Sequence, residues 1–391
     1  MKAVPAAALL ALLTFGPAAA EEPIKIGFIS TFSGPSGVLG QELLDGFKLG
    51  VDSLGGKLGG RPAMIIDGDD QTKPDVGRQL SDKMVERDKV QILTGVNFSN
   101  VMLALAKPTL DAGAFIISVN AGPSQYAGAQ CHPHFFVASF QNDTASEAMG
   151  VYMTNKQIKR AYLMAPNYPA GKDFLAGFKR TFKGEIAGEV YTTFGQLDYA
   201  AEIAQLRAAK PDAVYFFYPG GMGINFVKQY AQAGLKSEIP LYGPSFSLDQ
   251  TVLPGMGDAA LGAYASAFWS ETFDNPQSKK FVADFEEKYN RIPSPNAAQA
   301  YDTAILIDAA LNQVGGKIED RKAFQTALEN VKFTSLRGNF KFNTNHYPIQ
   351  DFYLTQIEKD ARGRLVMAIK EPIDRNHQDA YVGQCKMPQS P

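Results

Sequence analysis

Apolar positions along the chain follow two periods that alternate. Ile24-Lys25-Ile26-Gly27-Phe28-Ile29-Ser30 is an apolar run of strand length, and across residues 41–54 Leu44, Phe47, Val51 and Leu54 share one helical face. Ala63-Met64-Ile65-Ile66 predicts a second strand, and residues 75–87 a helix with Pro74 just before it. Val90-Gln91-Ile92-Leu93-Thr94 is a third strand, followed by a small uncharged turn and a helix that starts near Ser99. Ala114-Phe115-Ile116-Ile117-Ser118 is a fourth. Strands that are apolar throughout, each followed by a helix, predict a mainly parallel sheet covered on both faces.

The theme then restarts. Residues 134–139, 161–164, 190–194, 213–218 and 241–243 read as strands. Helices are predicted between them over 143–155, 172–183, 199–209 and 224–233, the last closed by Gly234. Beyond Asn275 the pattern turns helical, over 278–289, 296–314 and 321–330, and ends in strands over 339–343, 351–358 and 365–369. The fold class is therefore α/β, with two doubly wound parallel-sheet lobes. No low-complexity linker separates the halves, so the lobes are expected to share several crossovers and to hinge on them.

Composition narrows the function. With 38 basic and 40 acidic residues in 391, the formal net charge is −2, which offers no surface for nucleic acid. Lys2, the short apolar run of residues 6–13 and Ala18-Ala19-Ala20 form a secretory signal over residues 1–20, with cleavage expected before Glu21. The expected location is thus the periplasm. There a disulfide between Cys131 and Cys385 is expected, two free thiols being the alternative.

In open α/β sheets, ligands bind beyond the carboxyl ends of the strands. The loops there are Thr31-Phe32-Ser33-Gly34-Pro35-Ser36-Gly37, Asn97-Phe98-Ser99-Asn100, Asn120-Ala121-Gly122, Pro166-Asn167-Tyr168, Tyr218-Pro219-Gly220-Gly221 and Gly243-Pro244-Ser245-Phe246. They are rich in Gly, Ser, Asn and aromatics and poor in charge. Neither Gly-rich loop is followed by Gly-Lys-Ser/Thr, so neither is a phosphate loop, and G-x-S-x-G is absent. His132 and His134 share a strand face but gather no further ligand set. Asp67-Gly68-Asp69-Asp70 lacks calcium-loop spacing and reads as an acidic turn at a strand end. The chain offers a cleft without a catalyst: it is not expected to be an enzyme or to need a cofactor or metal.

Ile24-Lys25-Ile26-Gly27 with Ser33-Gly34-Pro35 and Gly40, then Asp69-Asp70-Gln71 with Pro74, Gly95 with Ser99, Tyr168, Gly243-Pro244 and Ala300-Tyr301-Asp302-Thr303 run in one order along the mature chain. The set resembles type I periplasmic binding proteins, the solute receptors of ABC importers, in their leucine/isoleucine/valine-binding branch. That resemblance implies a Venus-flytrap of two lobes joined by three hinge crossovers, near Phe140, Phe268 and His346. The first lobe would comprise residues 21–140 and 269–346, the second 141–268 and 347–391. It also implies a monomer that docks on an ABC transporter permease in the inner membrane.

By the same resemblance, Ser99 and the Asn120-Ala121-Gly122 loop hold a ligand carboxylate; the alternative from residue type is that Ser99 merely caps its helix. Free N–H groups at a helix start bind anions without a cationic side chain. Amino-acid binders of this branch carry Gly-Pro-Glu, whose acid meets the ligand ammonium, where this chain has Gly243-Pro244-Ser245. Ser245 cannot neutralise an ammonium, and an unpaired buried cation is costly. Leu39 replaces an aromatic of many relatives and leaves more room, while Phe98, Tyr168 and Phe246, with Tyr218, Phe268 and Trp269 as further candidates, would line the pocket. Gly220 and Gly221 belong to the expected ligand site as strand-end glycines, and Asn120, Ser245, Asn296 and Gln299 could read a distal polar group. The expected ligand is an aromatic carboxylate of benzoate or phenylpropenoid type, as in the subgroup that takes up lignin-derived acids. The alternatives are a branched-chain amino acid or amide receptor, with Asp302 or Asp70 as the acid, and a sensory domain on the same fold.

Overall fold

The computed structural model describes residues 21–387; the expected signal peptide lies outside them. The first sheet has the order β2-β3-β1-β4-β5-β6, formed by β1 (Ile24–Ser30), β2 (Lys57–Leu58), β3 (Arg61–Asp69), β4 (Ile92–Thr94), β5 (Phe115–Ser118) and β6 (Phe135–Val137). All its pairings are parallel except β2 with β3. Its helices are α1 (Gly37–Ser53), α2 (Pro74–Glu86), α3 (Ser99–Asp111) and the short α4 (Ser124–Ala127).

The second sheet continues from α5 (Thr144–Asn155) through β7 (Arg160–Pro166), α6 (Pro169–Thr181), β8 (Glu185–Thr192), α7 (Ala200–Ala209), β9 (Ala213–Phe216), α8 (Gly221–Gln232), β10 (Leu241–Pro244), α9 (Leu253–Met256) and β11 (Tyr264–Ala267). The chain then returns to the first lobe as α10 (Pro276–Tyr289), α11 (Pro295–Gln313) and α12 (Arg321–Glu329). It ends on the second sheet as β12 (Phe340–Phe342), β13 (Pro348–Lys359) and β14 (Leu365–His377). The resulting order is β12-β13-β11-β10-β9-β7-β8, with β14 on β13. Both lobes are doubly wound, with a switch point between β1 and β4 in one and between β7 and β9 in the other.

Strand β11 escapes the sequence pattern, and β12, expected as a strand over 339–343, pairs outside the lobe expected for it. β11 reads Tyr-Ala-Ser-Ala and has no apolar run to announce it, although it is the strand onto which β13 pairs. β12 falls in the stretch assigned from sequence to the first lobe, yet it hydrogen-bonds antiparallel to β13, Phe342 opposite Pro348. The cause is local: a tight turn at 343–347 folds β12 straight back on β13. Its rings nonetheless pack on the first lobe's core, Phe342 lying 5.2 Å from Phe136, so the strand belongs to the seam.

α1 and α11 pack closely enough that two glycines are needed. A Cβ on Gly46 would lie 2.1 Å from the Ala297 carbonyl oxygen, and one on Gly50 would lie 2.7 Å from the Ala304 Cβ. At the seam, Arg337 is 4% exposed and touches every crossover. Its Nε donates to Asp302 Oδ2 at 3.0 Å, Nη2 to the Ala138 carbonyl at 2.7 Å, and Nη1 to the Ser139 carbonyl and Gln350 Oε1, both at 3.0 Å. The Phe268 ring lies 5.3 Å from the guanidinium.

The C-terminal segment adds a fourth tie. Cys385 is joined to Cys131 of the first lobe, Cα to Cα 5.6 Å; Asn345 Nδ2 donates to Asp379 Oδ2 at 3.0 Å, and the Tyr381 hydroxyl to Asp143 Oδ2 at 2.8 Å. Closing so long a loop restricts the unfolded chain, so Cys385→Ala is expected to cost about 2–5 kcal/mol. Urea unfolding should show the loss, with the circular dichroism of the native state unchanged at 25 °C.

Candidate functional site

Between the lobes, at the carboxyl ends of the strands that flank both switch points, lies a cavity with an empty volume of about 420 Å³. The first lobe lines it with Leu39, Asn97, Phe98, Ser99, Asn120, Ala121 and Asn296, and the second with Asn142, Tyr168, Ala170, Phe174, Phe217, Pro219 and Phe246, while Phe140 stands on the first crossover. The lobes are closed on one another. Phe98 meets Tyr168 and Phe194 across the cleft at 6.2 and 5.6 Å between ring centres, and Asn296 Nδ2 donates to Asp249 Oδ2 at 3.0 Å.

The floor of the cavity is the turn between β4 and α3. Gly95 has φ +92°, and any Cβ there would lie 2.8 Å from the Ile29 carbonyl oxygen; Ser30 Oγ fixes the Gly95 carbonyl at 2.8 Å. Gly95 thus lets the turn run close against β1. Ser99 is the first residue of α3, Phe98 is the cap, and no side chain caps the helix. The capping alternative therefore fails. The first N–H groups of α3, those of Ser99 and Asn100, cannot be paired within the helix. The Ser99 hydroxyl accepts from Asn142 Nδ2 at 3.1 Å, which leaves its own proton to donate. Together these groups form a neutral cradle for an anion.

The walls are aromatic. Phe140 stacks on Phe246 at 4.3 Å and Phe174 on Phe217 at 3.8 Å, with Tyr168 6.3 Å from Phe217. Burial pushes the Tyr168 phenol above its ordinary pKa, so it stays protonated. No Asp, Glu, Lys, Arg or His is among the lining residues. Two acids stand behind lining asparagines. Asp173, raised by burial, accepts from Asn142 Nδ2 at 2.9 Å; Asp249, pushed up to about 7 by burial, accepts from Asn296.

Of the residues expected in the site, Leu39, Phe98, Ser99, Asn120, Ala121, Tyr168, Phe246 and Asn296 are brought together around the cavity. Four are not. Gly122 presses against the Phe140 carbonyl, 2.0 Å from where a Cβ would sit, and its N–H is spent on Asn142 Oδ1 at 3.2 Å. The Ala121 N–H is likewise engaged, by the Val96 carbonyl at 3.1 Å. Gly220 and Gly221 face Pro35 and Ser36 of the other lobe: a Cβ on Gly221 would lie 2.9 Å from the Pro35 Cβ, while one on Gly220 would be in ordinary contact at 3.4 Å. Ser245 is buried, off the lining. Tyr218, Phe268 and Trp269 are core residues. Asp302 is held by Arg337, Ser335 and Leu336, and Asp70 by Thr31 and Thr72, so neither faces the cavity. His132 and His134 pack edge to face; burial pushes His134 down to about 4, and no group of three metal-ligating side chains occurs among the described residues.

Residues missed in the sequence are Asn97, Phe140, Asn142, Ala170, Phe174, Phe217 and Pro219. Asn142 sits on a crossover, which has no periodicity to mark it, and Phe174 reads as an ordinary core position of α6. Asn97 was visible in the strand-end loop.

Two α/β lobes closed over a cavity at their strand ends define a ligand-trapping receptor. The chain belongs to the periplasmic binding protein family, whose sequence profile matches residues 23–362. It is an ABC-type solute-binding protein, and the family and its structural neighbours are receptors rather than enzymes. Leu/Ile/Val-binding protein homolog 6 of Brucella melitensis is 26% identical over 375 residues, 92% of this chain and 94% of that protein. An ABC transporter solute-binding protein from R. palustris in complex with benzoate is 32% identical, with a TM-score of 0.87 over 94% of this chain and all of that one. A solute-binding protein from Rhodopseudomonas palustris BisB5 in complex with 3,4-dihydroxy benzoic acid is 29% identical, again at 0.87, over 93% and all of the two chains. Among the described residues no helix is long and apolar enough to cross a membrane.

Proposed function

We propose that the protein captures an aromatic monocarboxylate in the periplasm, after removal of its signal peptide, and delivers it as a monomer to an ABC permease in the inner membrane. The observation that carries this reading is an interlobe cavity walled by aromatic rings, with a neutral anion cradle at Ser99 and no ionisable acid or base on its lining. A carboxylate meets donors there, whereas an α-ammonium would meet no carboxylate. The complexes of the two R. palustris relatives with benzoate and a dihydroxybenzoic acid support the same class. Lobe closure follows from the ligand's higher affinity for the closed state.

The names of the Brucella relatives favour a second reading, a branched-chain amino acid receptor. A thermal-shift screen separates the two, because a ligand that binds only the folded chain raises its melting temperature. Benzoates and cinnamates are expected to shift it by several degrees at 1 mM, and leucine, isoleucine and valine to leave it unchanged. A shift with the amino acids alone would overturn the proposal.

A further inference from the structure

Four asparagines line the cavity, and three already have both ends of their amides engaged. Asn120 donates to the Asn97 carbonyl at 2.9 Å and accepts from Gln299 Nε2 at 2.8 Å. Asn296 donates to Asp249 and accepts from Gln299 at 3.5 Å. Asn142 donates to Ser99 and Asp173 and accepts from the Gly122 N–H. The fourth is different. Asn97 is 5% exposed, and neither its side-chain nitrogen nor its side-chain oxygen has a partner. Because both atoms are unpaired, the conclusion does not depend on which way round the amide is placed.

A buried amide without partners costs about 1–3 kcal/mol at each atom left unmet. A benzoate carboxylate has only acceptors and could satisfy the Asn97 nitrogen but never its oxygen. The group that answers both is one that accepts and donates, which on an aromatic acid is a hydroxyl. Position agrees with chemistry. The backbone at Phe98 is extended, φ −107° and ψ 134°, so Asn97 and Ser99 stand about 6–7 Å apart along it. One benzene ring spans that gap with its carboxylate at one end and a substituent at the other.

Resting on the aromatic-carboxylate reading of this site, we infer that the ligand carries a ring hydroxyl meta or para to its carboxylate and that Asn97 is the residue that selects for it. An ortho hydroxyl does not serve, because it donates to its own carboxylate. The residues expected from sequence to read a distal polar group, Asn120, Asn296, Gln299 and Ser245, yield that role to Asn97. Asn120 and Asn296 have both ends of their amides committed, and Gln299 and Ser245, each with one buried oxygen unpaired, lie off the lining.

The test is calorimetric titration of the purified protein with benzoate, its three monohydroxy derivatives and 4-methoxybenzoate, repeated on Asn97→Leu. The wild type is expected to bind 3- or 4-hydroxybenzoate at least tenfold more tightly than benzoate, 2-hydroxybenzoate and the methoxy ether, which has lost the donor. Asn97→Leu should erase that preference, bringing 3- and 4-hydroxybenzoate to within threefold of benzoate on the same variant, and should unfold at no lower a temperature, since it removes an unpaired buried amide. Equal wild-type affinities for benzoate and the hydroxybenzoates would overturn the inference and leave the aromatic-acid reading standing. A preference that survives in Asn97→Leu would assign the hydroxyl to another residue. Binding of none of the five would overturn the aromatic-acid reading itself. The wild-type series decides the ligand's chemistry even if the variant does not fold.

Discussion

Arg337→Met should lower the stability of the protein by about 3–5 kcal/mol, the cost of breaking a buried ion pair by removing one partner. The substitution keeps a long side chain but strands Asp302, which is fully buried and would retain only Ser335 Oγ at 2.6 Å and the Leu336 N–H at 2.9 Å. It also leaves the Ala138 carbonyl without the guanidinium. Urea denaturation would measure the loss. The double variant Arg337→Met/Asp302→Leu should recover part of it, because the stranded charge is gone. A single-variant loss under 1 kcal/mol would mean that the crossovers are held by the surrounding core and not by this arginine.

Ser99→Ala is expected to weaken carboxylate binding by roughly 10- to 150-fold, equivalent to the 1.5–3 kcal/mol of one hydrogen bond to a charged group. Stability should change little, because Asn142 Nδ2 keeps its bond to Asp173. Ser99→Thr, which retains a hydroxyl at the same place, should restore most of the affinity. Titration with benzoate reads all three proteins. A change of less than threefold for the alanine variant would show that the backbone N–H groups of α3 hold the anion alone.

The sequence made the β–α alternation legible, and with it the position of the cleft, because buried parallel strands and amphipathic helices each leave a period. Ser99, Phe98, Tyr168 and Phe246 could be placed near the ligand because they follow strand ends. What stayed hidden depends on contacts between distant segments. Asn142 and Phe140 come to the cavity through a crossover whose path no local pattern records. Gly220 and Gly221 turned out to serve closure: they meet Pro35 and Ser36 of the opposite lobe, a contact that exists only once both lobes are built. Asn97 was in plain view between Gly95 and Ser99. Its importance rests on the other three asparagines having found partners, which no single loop can reveal.

The close packing of α1 on α11 has a consequence for how the molecule is made. The first lobe begins at Ile24, yet the helix that fits against Gly46 and Gly50 starts at Pro295. At about 5–20 residues per second, a growing chain spends roughly ten seconds or more between finishing β6 and finishing α11. During that time the parallel strands β7–β11, which run without interruption, can assemble, while the face of α1 at Gly46 and Gly50 has no α11 against it; the other side of α1, at Phe47, already packs on Phe28 of β1. The five parallel strands of the inserted lobe can thus pair before the first lobe receives α11, and β13 and β14, last in the chain, complete the second sheet after both.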